Sequence, residues 1–182
     1  MDIYEAIEKR RTVRFFKHAA AEEQVRRIIL AGSKAPSGGN SQPWEFILID
    51  DSAIINQLGE LKYQLSKQFK PGPGQTQEDV EKRALYQKKG FANTTVVAIC
   101  TTKGQSSAGW LAAENMSLVA VAEGLGSNII TYWDDAKKEV QKLLGLPEGY
   151  ELTCVLKLGV PEAEAAPPEK RAELSWLHKN KF

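Results

Sequence analysis

The most restrictive feature of the sequence is the segment 108–125, which would be apolar on nearly every side of a helix. Such a helix has no polar stripe to face water, so it must lie in the core or at an interface between subunits. Gly124-Leu125-Gly126 should end it, because glycine readily adopts the backbone conformation that closes a helix. The chain must therefore supply other elements, or a second copy, to cover this helix.

Hydrophobic periodicity and turn residues predict the remaining elements. Segment 94–101 is a continuous apolar run, which indicates a strand buried on both faces. Leu152, Cys154, Leu156 and Leu158 alternate with other residues in a last strand. The other predicted helices lie at 2–10, 22–33, 52–65, 77–90 and 135–144, and the other predicted strands at 44–49 and 127–132.

Length, charge and cysteine usage indicate an ordinary globular protein. The 182 residues suit a single domain, and a formal net charge of +1 argues against a nucleic-acid-binding surface. No apolar run is long enough to span a membrane, and the N-terminus lacks the apolar centre of a signal peptide. Cys100 and Cys154 stand alone in apolar runs, so we expect reduced core cysteines in a cytoplasmic protein.

The sequence contains little of the chemistry that enzymes use directly. The two histidines, His18 and His178, lie at opposite ends of the chain without a second ligand at helical or turn spacing, so a metal site is not expected. None of the common nucleophile, zinc-protease or phosphate-loop motifs is present. If the protein is an enzyme, we expect its reactive centre to belong to a bound cofactor.

A run of arginines follows the first predicted helix. Arg10, Arg11 and Arg14 place three guanidinium groups within five residues. One interpretation is that these bases complement the C-terminal end of the helix dipole. The other is that they share an anion, since planar guanidinium groups suit a phosphate and otherwise repel one another. The sequence leaves both interpretations open.

Three further segments are candidate parts of a site. The loop 36–44 presents a hydroxyl, two amides and bare backbone beside Trp44, a mixture that can hydrogen-bond the edge of a planar heterocycle, although its glycines also suit an ordinary turn. Gly124, Gly126 and Ser127 are explained by the end of a helix. Lys170-Arg171, taken alone, is a pair of solvated charges.

Taken together, these features resemble the nitroreductase family of FMN-dependent oxidoreductases. The similarity follows the chain in order, from Arg10-Arg11-Thr12-Val13-Arg14 through Asn40-Ser41-Gln42-Pro43-Trp44 and Gly124-Leu125-Gly126-Ser127 to Leu158-Gly159-Val160-Pro161 and Lys170-Arg171. The resemblance implies an α+β fold with a central mixed sheet flanked by helices. It also implies an intertwined homodimer, in which residues 160–182 of each chain cross to the partner and two FMN sites lie at the interface.

The resemblance also implies a set of FMN contacts. Residues that would hold the phosphate are Arg10, Arg11, Lys170 and Arg171, with Thr12 bonding along the same side. Arg14 would face the pyrimidine edge of the flavin. The loop of the other subunit would supply Pro36, Ser37, Gly38 and Asn40, supported by Gln42. A strand would pass beside the flavin ring, with a backbone N–H near Thr131 pointing at N5. Its residues are Ile129, Ile130, Thr131 and Tyr132.

The predicted function is therefore transfer of hydride from NADH or NADPH through FMN to a planar acceptor such as a nitroaromatic or a quinone, by a ping-pong mechanism. The alternatives are other flavin chemistry such as reductive dehalogenation, a flavin store or sensor without turnover, and a structural dimerisation domain. The weakly apolar segment 62–92 is predicted to be a mobile lid over the single domain 1–182.

Overall fold

The computed structural model describes residues 1–167, 171–172 and 174–182. Its helices are α1 (Ile3–Lys9), α2 (Glu22–Gly32), α3 (Ser52–Ser66), α4 (Gln77–Lys89), α5 (Ser106–Ala122) and α6 (Asp134–Leu143). Its strands are β1 (Phe16–Ala19), β2 (Trp44–Ile49), β3 (Thr95–Thr102), β4 (Gly126–Ile130) and β5 (Tyr150–Pro161). The predicted α+β class is confirmed, whereas the short strand β1 was not predicted because four residues carry too little periodicity.

The strands form one sheet built on the long strand β5. Its order is β1-β5-β3-β2, and β4 also pairs with β5. All four ladders between these strands are antiparallel, for example Phe46 with Ile99 and Ile129 with Leu156. A mixed sheet was predicted. Among the described residues, the only parallel pairing is a single bridge between Thr12 and Ser127.

Helices cover both faces of the sheet. On one face, α3 and α6 bury Leu58 and Val140 against a core that also includes Phe91. On the other face, α2 and α5 bury Ile28, Met116 and neighbouring alanines. The apolar helix α5 thus lies in the core as predicted, but Trp110 and Leu111 are 41% and 47% exposed in the single chain.

The predicted lid begins inside α3. Lys62 and Leu65 are buried on that helix, and α4 buries Val80 and Ala84. Thr76 caps α4, because its hydroxyl accepts a hydrogen bond from the backbone N–H of Asp79. The segment therefore packs on the domain in this structure, and its mobility stays a prediction.

The two cysteines are free and buried, as predicted. Burial raises the pKa of the Cys100 thiol to about 11 and that of Cys154 to about 12, so both are inert thiols at neutral pH. Within the ranges that the structure describes, no helix is long and apolar enough to cross a bilayer.

Candidate functional site

The candidate site is built around residues 10–14, here called the arginine segment. The chain leaves α1 at Arg10, whose backbone is extended. The backbone N–H of Val13 then donates a hydrogen bond to the carbonyl of Ser127 on β4 at 2.9 Å. Gly126 permits this approach, because a Cβ atom at that position would lie 2.6 Å from Cγ2 of Val13. The arginine segment is therefore fixed to the edge of the sheet at β4.

A cavity of about 570 Å³ opens beside the arginine segment. Phe15 and Tyr86 meet in its wall as a T-shaped pair with ring centroids 4.6 Å apart, and Tyr86 belongs to α4. The complete described lining is Arg10, Arg11, Thr12, Val13, Arg14, Phe15, Tyr86, Glu162, Ala163, Glu164, Ala165 and Ala166. Three guanidinium groups thus share the cavity with two carboxylates, and the sequence reasoning did not foresee the carboxylates.

The three arginines have different local environments. Arg11 donates hydrogen bonds to the carbonyls of Arg10, at 2.8 Å, and of Glu8 in the last turn of α1. These contacts favour the helix-end interpretation for Arg11, and its contact with a phosphate stays a prediction. Arg10 Nε lies 3.6 Å from Glu114 Oε1 on α5, and Arg14 is exposed in the cavity wall. Arg10 and Arg14 are not explained by the end of α1.

The loop 36–42, here called the amide loop, lies elsewhere on the chain. Gly38–Asn40 form one turn of 3-10 helix, and Asn40 and Gln42 adopt positive φ angles of 56° and 47°. Ser37 Oγ accepts a hydrogen bond from the Gln42 N–H at 3.0 Å, and Ser41 Oγ lies 3.2 Å from Gln105 Oε1 just before α5. Of the described residues that line the arginine cavity, none comes from this loop.

The predicted strand 127–132 ends earlier than expected, at Ile130. Tyr132 is 5% exposed, and its hydroxyl donates a hydrogen bond to the carbonyl of Leu58 at 2.8 Å. Burial raises the pKa of Tyr132 far above its usual value. Ile130 is also buried in the core, while Ile129 and Thr131 are half-exposed. The side chain of Tyr132 is therefore a core group, because its aromatic ring gains more from burial under α3 than from solvent.

A lysine that the sequence reasoning did not single out holds the same segment. Lys62 on α3 is 9% exposed, and its Nζ donates a hydrogen bond to the Thr131 carbonyl at 3.0 Å and lies 4.7 Å from the Trp133 ring centroid. Burial lowers the pKa of this ammonium group. Its position between Leu58 and Leu65 on the apolar face of α3 was the available signal.

The basic pair near the C-terminus is only partly described. Lys170 lies outside the described residues. Arg171 is exposed, and its Nη2 donates a hydrogen bond to the Ser175 carbonyl at 3.4 Å. Beyond it, Leu174, Trp176, Leu177 and Phe182 are exposed on the single chain. Neither the phosphate contact predicted for the pair nor the crossing of the tail is tested by this geometry.

With this geometry established, the comparison with known protein families decides the family. The model of the nitroreductase family matches residues 7–160, which include the arginine segment, the amide loop, α5 and most of β5. The chain belongs to the nitroreductase family. The resemblance carried by the arginine and amide motifs is thereby confirmed.

Members with different activities are similar to this nitroreductase-family chain. An iodotyrosine deiodinase from Thermotoga neapolitana is 27% identical over 88% of this chain and 89% of its own length. An NADH dehydrogenase from Thermus thermophilus is 25% identical over 93% of this chain and 92% of its own length. A crystal structure of oxidised iodotyrosine deiodinase bound to FMN and 3-iodo-L-tyrosine superposes with a TM-score of 0.81 and 25% identity, covering all of both chains.

Proposed function

We propose that the protein is a homodimeric FMN-dependent oxidoreductase, which takes hydride from NADH or NADPH and passes electrons to a planar acceptor such as a nitroaromatic or a quinone. The observation that carries the proposal is the cavity of the arginine segment, where three guanidinium groups stand over about 570 Å³ of space. FMN is the cofactor bound in the similar deiodinase structure. An NADH dehydrogenase among the relatives supports a nicotinamide donor.

The chain's own residues suit this cofactor. Arg10 and Arg11 offer donors for the FMN phosphate, and the exposed Arg14 can stabilise negative charge on the flavin pyrimidine. FMN, when bound, would supply the hydride chemistry that the side chains lack. Use of one stacking site by donor and acceptor in turn gives ping-pong kinetics.

The same geometry supports a site shared by two chains. The amide loop packs near the start of α5, whereas Arg10 reaches Glu114 farther along the same helix. Trp110 and Leu111 lie exposed between these positions. A second copy docked on this apolar face of α5 would bury both side chains and bring its amide loop towards the arginine cavity.

Spectroscopy tests the proposal directly. Purified protein titrated with FMN should become yellow, and anaerobic mixing with NADH or NADPH in a stopped-flow instrument should bleach the flavin absorbance. FMN binding without bleaching would identify a store or sensor module. A colourless protein that takes up no FMN would refute flavin binding.

Reductive dehalogenation is the second candidate, favoured by the two similar deiodinases. The two candidates are distinguished by mixing the chemically reduced flavoprotein, under anaerobic conditions, with either 3-iodo-L-tyrosine or a nitroaromatic and following reoxidation of the flavin. Release of iodide with reoxidation of the flavin would favour dehalogenation, and reoxidation by the nitroaromatic alone would favour the main proposal.

A further inference from the structure

A buried lysine lies directly beneath the walls of the arginine cavity. Lys157, near the middle of β5, is 1% exposed. Its Nζ donates a hydrogen bond to the carbonyl of Gly90 and lies 3.5 Å from the carbonyl of Arg14. The centroid of the Phe91 ring lies 4.8 Å from the same Nζ atom. Burial of an ammonium group costs free energy, and the contacts with these carbonyls offset part of that cost.

The carbonyls that Lys157 joins belong to the two walls of the cavity. Arg14 ends the arginine segment, and Gly90 ends α4, where its N–H donates to the carbonyl of Tyr86 at 3.2 Å. Arg14, Phe15 and Tyr86 all line the cavity. Through two carbonyls, one side chain therefore connects the guanidinium side of the cavity to its aromatic side.

The close approach of these segments depends on the glycine. A Cβ atom on residue 90 would lie 2.7 Å from the Arg14 carbonyl oxygen and 3.0 Å from Lys157 Nζ. The distance to the Arg14 carbonyl is shorter than real Cβ atoms show, so any larger residue would push the arginine segment away from α4, and the distance to Lys157 Nζ is tighter than most contacts. Gly90 thus leaves space that the lysine contacts occupy.

We propose that Lys157 is a positioning residue, which ties the end of α4 to the Arg14 backbone and thereby sets the distance between the arginine segment and the aromatic wall. The inference rests on the proposed function, since this distance determines how the cavity holds FMN. Lys157 itself touches no reacting atom.

The protonation state of Lys157 affects how firmly it links the two segments. Its neighbours across the sheet, Val96 on β3 and Asn128 on β4, are uncharged. From the arginine segment it faces Arg14, and on α4 the last-turn Lys88 and Lys89 are exposed. Burial, and then the charge of Arg14, lower the pKa of Lys157 to about 7. Breaking the link returns Lys157 to water and towards an ordinary lysine pKa, so the linked arrangement becomes more stable as pH rises through neutrality and the cost of the buried charge disappears.

The test compares Lys157→Met, which keeps the length of the side chain, with Lys103→Met at an exposed turn after β3. We expect Lys157→Met to bind FMN about tenfold more weakly than the parent at pH 9, because methionine cannot donate to the carbonyls, and the ratio to shrink at pH 6, where the buried charge weakens the link in the parent. Lys103→Met should match the parent throughout. A Lys157→Met protein with parental FMN affinity at both pH values would overturn the proposal.

Hydrogen exchange separates this inference from the proposed function. Amides of residues 14–15 and 86–91 should exchange faster in Lys157→Met than in the parent, relative to the amides of β2, whether or not the protein binds FMN. In the parent alone, protection of the same amides, corrected for intrinsic exchange, should rise between pH 6 and 9, which keeps a test available if the variant does not fold. Unchanged protection at these residues would refute the link even in a protein that binds FMN, and absence of FMN binding in the parent would refute only the proposed function.

Discussion

The backbone N–H of Val13 donates a hydrogen bond to the carbonyl of Ser127 at 2.9 Å, across 114 positions of sequence. This bond, with the bridge between Thr12 and Ser127, sets the register of the arginine segment along β4. Because the segment is held by its backbone, its arginine side chains remain available to the cavity.

Arg14 and Arg171 should affect different quantities. We expect Arg14→Ala to slow flavin reduction by NAD(P)H about tenfold, because Arg14 is proposed to stabilise negative charge on the flavin pyrimidine, while changing the FMN dissociation constant little. Arg171→Ala should weaken FMN binding about tenfold, because Arg171 is proposed to donate to the phosphate, with little effect on the reduction rate. Stopped-flow reduction and fluorescence titration measure the two quantities, and equal effects of both variants on both would contradict these roles.

Gly126→Ala should displace the arginine segment from β4. The added Cβ would lie 2.6 Å from Cγ2 of Val13, so we expect a loss of about 1–3 kcal/mol in the free energy of unfolding and weaker FMN binding. The double variant Val13→Gly, Gly126→Ala removes every Val13 side-chain atom near the new Cβ and should lose less than the sum of the single variants. Urea denaturation of the parent, the two single variants and the double variant measures the four free energies of unfolding in this double-mutant cycle. Additive losses would show that the two side chains do not compete for this space.

The exposed apolar face of α5 should be a subunit interface. Leu111 is 47% exposed in the single chain, and Leu111→Lys would bury an unpaired charge there, costing the dimer about 2 kcal/mol or more per subunit. We expect sedimentation velocity to show a dimer for the parent and a monomer with little FMN for the variant. Leu85→Lys, at a residue 40% exposed on α4, serves as the control and should remain dimeric. A monomeric parent that retains FMN would contradict the shared site.

Lys157 should make stability depend on pH. Its pKa is about 7 in the folded chain against 10.5 for an unperturbed lysine, so between these values the unfolded state binds more protons. The free energy of unfolding should therefore rise with pH from about 7 to about 10, by at most about 1.4 kcal/mol per pH unit, as the penalty for burying the charge disappears. Urea denaturation of the parent and Lys157→Met at pH 7.5 and 9.5 measures the difference. An equal rise of the free energy of unfolding in both proteins would show that groups other than Lys157 cause it.

Local sequence signals predicted most of the elements and the family. The apolar length of α5, the glycines that follow it and the continuous run of β3 are properties of neighbouring residues, so they can be recognised without knowledge of the fold. The arginine and amide motifs carried the resemblance to the nitroreductase family, and the family model confirms it. The roles of individual residues towards FMN stay predictions.

Other features were decided only when distant segments came together. The burial of the Tyr132 side chain could not be recognised from its neighbours in sequence, because its hydroxyl donates a hydrogen bond to the carbonyl of Leu58, 74 positions away. Lys157 looks like an ordinary charge between two leucines, and its partners on the arginine segment and α4 are 143 and 67 positions distant. Periodicity reports which side of an element is apolar, but the partner that satisfies a buried polar group depends on which elements pack against it. Local patterns thus sufficed for most of the elements and for the family, whereas only the packing of distant segments placed Lys157 and Tyr132 against the carbonyls that accept their hydrogen bonds.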